Sequence, residues 1–165
     1  MGVERLIEHS SFFGDPTPIP TFPLQGGKSP AEEHMKKGYK ALVDEAMAQV
    51  KTYSVEEAQA RLNDPGVQFI DVRDIRELER EGVIPGAFHA PRGMIEFWVD
   101  PDSPYFKPVF GEDKEFVFFC AAGWRSALTT KTVQDMGLER VAHIDGGFGA
   151  WKKSGAPVEE KAKKS

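Results

Sequence analysis

One cysteine is too few for a disulfide, and Cys120 is all this chain has. With no oxidative framework, a cytoplasmic setting is expected. Long apolar runs are missing too: none approaches the roughly 18 residues of a membrane span, and the N-terminus lacks a signal-peptide core. No membrane partner is expected. Positive charge is in deficit, with 21 Lys and Arg against 26 Asp and Glu and a net charge of −5. That balance excludes the basic surface that nucleic acid requires, and the Lys-rich tail over 161–165 reads as a solvated end. The four histidines, His9, His34, His89 and His143, include no pair at metal-ligand spacing. Neither a metal nor a cofactor is expected.

What remains is a chain of 165 residues, 40% hydrophobic, long enough for one domain and something more. The excess lies at the front. Residues 1–28 are rich in proline and glycine and have no hydrophobic period, which predicts an extended or flexible arm. Ser29-Pro30-Ala31-Glu32 then supplies an N-cap, a proline at the first helical position and a capping-box acid. A helix over 29–51 is expected, with Tyr39, Leu42, Val43, Ala46, Met47 and Val50 on one face and Gly38 a weak spot. It should pack on the domain or pair with a second copy as a homodimer.

From residue 52 the pattern alternates. Ser54-Val55-Glu56-Glu57 is a second capping box, opening a short helix that the turn Asp64-Pro65-Gly66 ends. Val67–Asp71 reads as a buried strand, Ile75–Glu81 as an exposed helix, and Phe88 as the site of a short strand. Arg92–Asp113 is irregular, apart from a helical stretch over Met94–Val99. Phe116–Phe119 and Val141–Ile144 are strands, with a helix over Ala127–Met136 between them. Alternating strands and helices predict an α/β fold with a mostly parallel sheet covered on both faces. In such sheets, sites form beyond the carboxyl ends of the strands.

Cys120 stands at one of those ends, followed by Ala121, Ala122, Gly123, Trp124, Arg125 and Ser126. A cysteine ending an apolar strand is ordinarily just packed. Packing, however, has no need of a small-residue turn, an arginine and a helix start at its back. A strand, a tight turn and a helix start turn successive N–H groups and the positive end of the helix dipole toward the sulfur. Such a cradle stabilises a thiolate or a bound anion. Arg125 adds a fixed positive charge, Gly123 permits backbone angles closed to other residues, and Ser126 is expected to cap the helix.

Three segments together resemble the single-domain rhodaneses, the thiosulfate sulfurtransferase family: Phe69-Ile70-Asp71-Val72-Arg73 followed by Glu77, Glu81 and Ile84-Pro85-Gly86-Ala87; the Cys120–Ser126 loop; and Asp145-Gly146-Gly147-Phe148-Gly149-Ala150-Trp151. Val83 stands where that family usually has histidine. The resemblance implies a three-layer sandwich over 52–160, with a five-stranded sheet and helices on both faces. It also implies a sulfur transfer in which Cys120 takes sulfur from a small donor such as thiosulfate, forms a persulfide, and passes it to a thiophilic acceptor. Without a second cysteine that acceptor must be external: cyanide, a small thiol or a partner protein's thiol. Residues 121–126 would bind the donor, Arg92 would either reach the mouth of the site to bind an anionic donor or stand as a surface or ion-paired arginine, and Asp71 and Arg73 would brace neighbouring loops.

Related cell-cycle phosphatases and arsenate reductases have a loop longer by one residue than the four that separate Cys120 from Arg125. Such a phosphatase or reductase is the alternative activity, with Asp100 or Asp102 as general acid, although the surrounding prolines favour turns for both. A non-catalytic regulatory module is the third reading.

Overall fold

The computed structural model describes residues 35–162. Helix α1 runs Tyr39–Gln49 and begins where Gly38 takes up extended backbone; Ser29 and Pro30 lie outside the described residues. Val43, Ala46 and the following Val50 are buried, so the helix packs its apolar face against its own domain. Strand β1, Lys51–Tyr53, follows at once. Helix α2, Val55–Gln59, carries the expected capping box, with Ser54 Oγ accepting from the Glu57 N–H at 3.2 Å and Glu57 Oε2 accepting from the Ser54 N–H at 2.9 Å.

Strand β2, Val67–Asp71, leads into helix α3, Ile75–Glu81, which opens with a second reciprocal box between Asp74 and Glu77. Strand β3, Phe88–His89, precedes a 3-10 turn at Arg92–Met94, helix α4 at Ile95–Val99 and another 3-10 turn at Pro108–Gly111. Strand β4, Glu115–Phe119, helix α5, Trp124–Asp135, strand β5, Val141–Ile144, and helix α6, Gly147–Lys153, complete the unit. No helix among the described residues is long and apolar enough to cross a membrane.

The five strands lie in the order β1-β5-β4-β2-β3, and every pair is parallel. A parallel sheet buries both faces, which is why β4 is apolar at successive positions rather than alternate ones. Val117 and Phe119 pack with Val55, Ala58, Phe148 and Trp151 under α2 and α6. Phe116 and Phe118 turn the other way, toward Ile95, Val99 and Val133 of α4 and α5. The result is a three-layer α/β/α sandwich. Cys120 continues the strand's alternation on the α5 side, directly beyond the end of the central strand.

Candidate active site

The sulfur of Cys120 is nearly enclosed, at 1% exposure, and accepts a hydrogen bond from the Gly123 N–H at 3.1 Å. That bond closes a tight ring of four residues. Gly123 makes it possible by holding φ at +106°, a conformation that side chains rarely adopt, and it serves as the N-cap of α5. Among the described residues, the N–H groups of Ala121, Ala122, Trp124, Arg125 and Ser126 have no hydrogen-bond partner. The last three belong to the first turn of a twelve-residue helix, where donors are left over and the dipole is positive. The thiol of Cys120 thus opens a loop whose remaining N–H donors are free among the described residues.

The carbonyl groups of the same loop are held away from it by α6. Phe148 N–H donates to the Cys120 carbonyl at 2.7 Å and Gly149 N–H to that of Ala121 at 3.0 Å. Contact this close requires a glycine at 147: a Cβ there would overlap the Cys120 carbonyl oxygen and lie 2.9 Å from the Ala121 carbonyl carbon. Arg125 is fixed from the opposite side. Its two terminal nitrogens donate to Glu77, Nη1 to Oε2 and Nη2 to Oε1, each at 2.8 Å. The guanidinium holds the Glu77 carboxyl down to about 2, against partial burial and with help from the Asp74 N–H. The same pairing raises Arg125 further above its ordinary range, and Arg125 stands close enough to Cys120 for their charges to interact.

A rhodanese-like domain profile matches residues 54–154, which take in this loop, both of its braces and four of the five strands. The chain belongs to the rhodanese-like domain family. A Bacillus subtilis (strain 168) relative, provisionally named a sulfurtransferase, is 34% identical over 94 residues, 57% of this chain and 82% of that protein. A solved structure from Rhodopseudomonas palustris CGA009, of unknown function and described as a possible tyrosine phosphatase, is 54% identical with a TM-score of 0.74; the match covers 76% of this chain and 96% of that one. A rhodanese-related protein from Thermoplasma volcanium shares the fold at 22% identity and a TM-score of 0.55, over 67% of this chain and 99% of its own.

Within this rhodanese-like unit, Asp71 and Arg73 form a fully buried ion pair, with Arg73 Nη2 on Asp71 Oδ2 at 2.7 Å and on the Gly82 carbonyl at 2.9 Å. The guanidinium also stacks on Phe148, 3.9 Å from the ring centre, so the pair ties the β2 turn to α6. Val83, at the family's usual histidine position, exchanges backbone hydrogen bonds with Glu159 and latches the C-terminal segment.

Several expectations need correction. Arg92 takes the ion-pair alternative rather than a place in the loop: its Nη1 binds Glu96 at 3.0 and 3.2 Å, an i,i+4 acid, and its Nη2 lies 3.5 Å from Thr132. Helix α5 starts at Trp124, three residues earlier than its apolar period suggests. Ser126 consequently lies inside the first turn and cannot cap it; its hydroxyl instead donates to the Gly123 carbonyl at 3.1 Å. Trp124 points outward, 58% exposed, with its ring 5.4 Å from that of Tyr39 on α1. Asp100 accepts from the Asp102 N–H in a turn and lines a hollow with Met136 and Gly137. It therefore sits at the far end of α5 from Cys120, beyond a helix roughly 18 Å long at 1.5 Å per residue.

Sequence reasoning left one buried group without a role. His143 on β5 is fully buried, and burial pushes it below the usual histidine range, against the charge of Asp145. Its Nδ1 lies 3.2 Å from Ser126 Oγ and its Nε2 3.0 Å from Thr52 Oγ1. Cys120 Sγ is 3.6 Å from the same Ser126 oxygen. The positions concerned are up to 91 residues apart, and only the pairing of β1 with β5 brings them together.

Proposed function

We propose that this protein is a sulfurtransferase that carries sulfane sulfur on Cys120. The Cys120 thiolate attacks the outer sulfur of a donor such as thiosulfate; a new S–S bond forms, the donor's own S–S bond breaks, and sulfite leaves with its electron pair. The product is a persulfide anion on Cys120. An external acceptor, cyanide or a thiolate, then attacks the terminal sulfur, and the persulfide S–S bond breaks to return the thiolate. The free N–H groups of Ala121 to Ser126 would hold the negative terminal sulfur throughout. No second thiol is available to resolve the persulfide within the chain. A lone thiol of this kind suits a reducing, cytoplasmic setting.

The observation that carries the reading is a buried thiol that accepts from the Gly123 N–H, in a loop whose other N–H donors are free among the described residues and whose arginine is already bound to Glu77. The phosphatase alternative needs an arginine free to clasp a tetrahedral oxyanion and a nearby general acid. Here the guanidinium is engaged at both nitrogens, and Asp100 is a turn residue at the wrong end of α5. The deciding experiment incubates the pure protein with thiosulfate, weighs the chain, and then adds cyanide. One added sulfur atom, released as thiocyanate and absent in Cys120→Ser, is expected. Failure to gain sulfur from thiosulfate, mercaptopyruvate or a small persulfide would sink the proposal, as would hydrolysis of an aryl phosphate that outpaces sulfur transfer.

A further inference from the structure

The chain Cys120, Ser126, His143, Thr52 runs from the nearly enclosed sulfur to a half-buried hydroxyl on β1, and each link has a group able both to give and to accept a proton. We propose that His143 is a positioning residue that couples ionisation of Cys120 to its own tautomer, acting through the hydroxyl of Ser126. In the thiol state the Cys120 S–H donates to Ser126 Oγ, the Ser126 O–H to His143 Nδ1, the His143 Nε2–H to Thr52 Oγ1, and the Thr52 O–H to water. Shifting each proton one link along gives the thiolate state. Ser126 then donates to the thiolate, Nδ1–H donates to Ser126, Thr52 donates to Nε2, and the net proton leaves to water. The imidazole stays neutral in both states, as its burial requires. The Gly123 carbonyl, 3.1 Å from Ser126 Oγ, competes for that one proton, and Nδ1–H fixes which lone pair of the serine is occupied.

The surroundings of the ring favour a tautomer switch over ionisation. Strand β1 faces it with Thr52, β4 places Phe118 beside it, α5 presents Ser126, and Asp145 is the charged group that acts on it. At the sulfur, the charge is that of Arg125, already matched by Glu77. The inference rests on Cys120 as the nucleophile of the proposed function, but it can be tested without any sulfur donor. Alkylation of Cys120 by iodoacetamide is followed against pH, together with the imidazole nitrogen shifts of nitrogen-15-labelled full-length protein. The His143 signals are expected to pass from the Nε2–H to the Nδ1–H tautomer at the midpoint of the alkylation profile, and to stay in one form in Cys120→Ser. In Thr52→Val, which keeps the shape of the half-buried position, alkylation at pH 7 should slow about three- to tenfold. A single tautomer across the whole profile, an imidazolium forming along it, or unchanged alkylation in Thr52→Val would each overturn the proposal. A protein that alkylates as expected but never gains sulfur would refute the sulfurtransferase reading and leave this one standing.

Discussion

Glu77→Gln separates the charge of the Arg125 brace from its shape. The glutamine is nearly isosteric and can still complete the capping box with Asp74, so α3 should keep its start. The lost term is the ion pair. A carboxyl held at about 2 instead of the ordinary 4.5 corresponds to a ceiling of about 3–4 kcal/mol, at roughly 1.4 kcal/mol per pKa unit. The Arg125 side chain is 40% exposed, so solvent screening reduces the expected loss to about 1–2 kcal/mol. For a domain of this size that is a fall of about 3–8 °C in melting temperature. Because folding depresses the carboxyl, its contribution is complete above the ordinary 4.5 and disappears as pH falls toward about 2. Urea unfolding of both proteins between pH 7 and pH 3 should therefore give a stability gap that is constant down to about pH 5 and narrows below it. A gap that does not change with pH would refute the electrostatic account and assign the loss to packing.

Two further substitutions probe the supports behind the loop. In Gly147→Ala the new Cβ meets the Cys120 and Ala121 carbonyls, whereas Gly155→Ala, also at positive φ, meets nothing within 4 Å. Urea unfolding should show a loss of about 2–4 kcal/mol for the first and about 1 kcal/mol for the second, with Cys120 alkylation altered only in the first; equal losses would show that backbone strain alone matters. Arg73→Met leaves Asp71 charged and buried, at a cost of about 3–5 kcal/mol, and adding Asp71→Leu should recover much of it, as measured by the same unfolding.

The parts of this fold that local chemistry dictates could be read from the chain. Strand β4 announces itself because a central parallel strand is apolar on both faces, and α2 because its capping box, Ser54 to Glu57, is written within four residues. Strand β1 could not be read: Lys51-Thr52-Tyr53 is too short and too polar for a strand pattern, and it becomes a strand by pairing with β5. The onset of α5 was hidden for another reason. Gly123 in a left-handed conformation starts the helix on Trp124-Arg125-Ser126, residues whose side chains carry no apolar period. The ion pair of Arg92 is legible as an i,i+4 spacing, since Glu96 stands four residues on. The links from Arg125 to Glu77 and from Ser126 to His143 were beyond reach, because they depend on which strands lie side by side.

The two helix starts at the site divide its work. Among the described residues α5 leaves its first N–H groups free, while α6 uses its own on the carbonyls of Cys120 and Ala121. A peptide unit presents either its N–H or its C=O to a neighbour, so bonding those carbonyls on the α6 side keeps their dipoles from opposing a thiolate or persulfide anion. Gly147 follows from this division. It lies against the carbonyl side of Cys120 and Ala121, and a side chain there would push α6 off the very carbonyls that must be turned away. On this account a change at Gly147 should act on the reactivity of Cys120 from behind the loop, with the Arg125–Glu77 brace still intact in front.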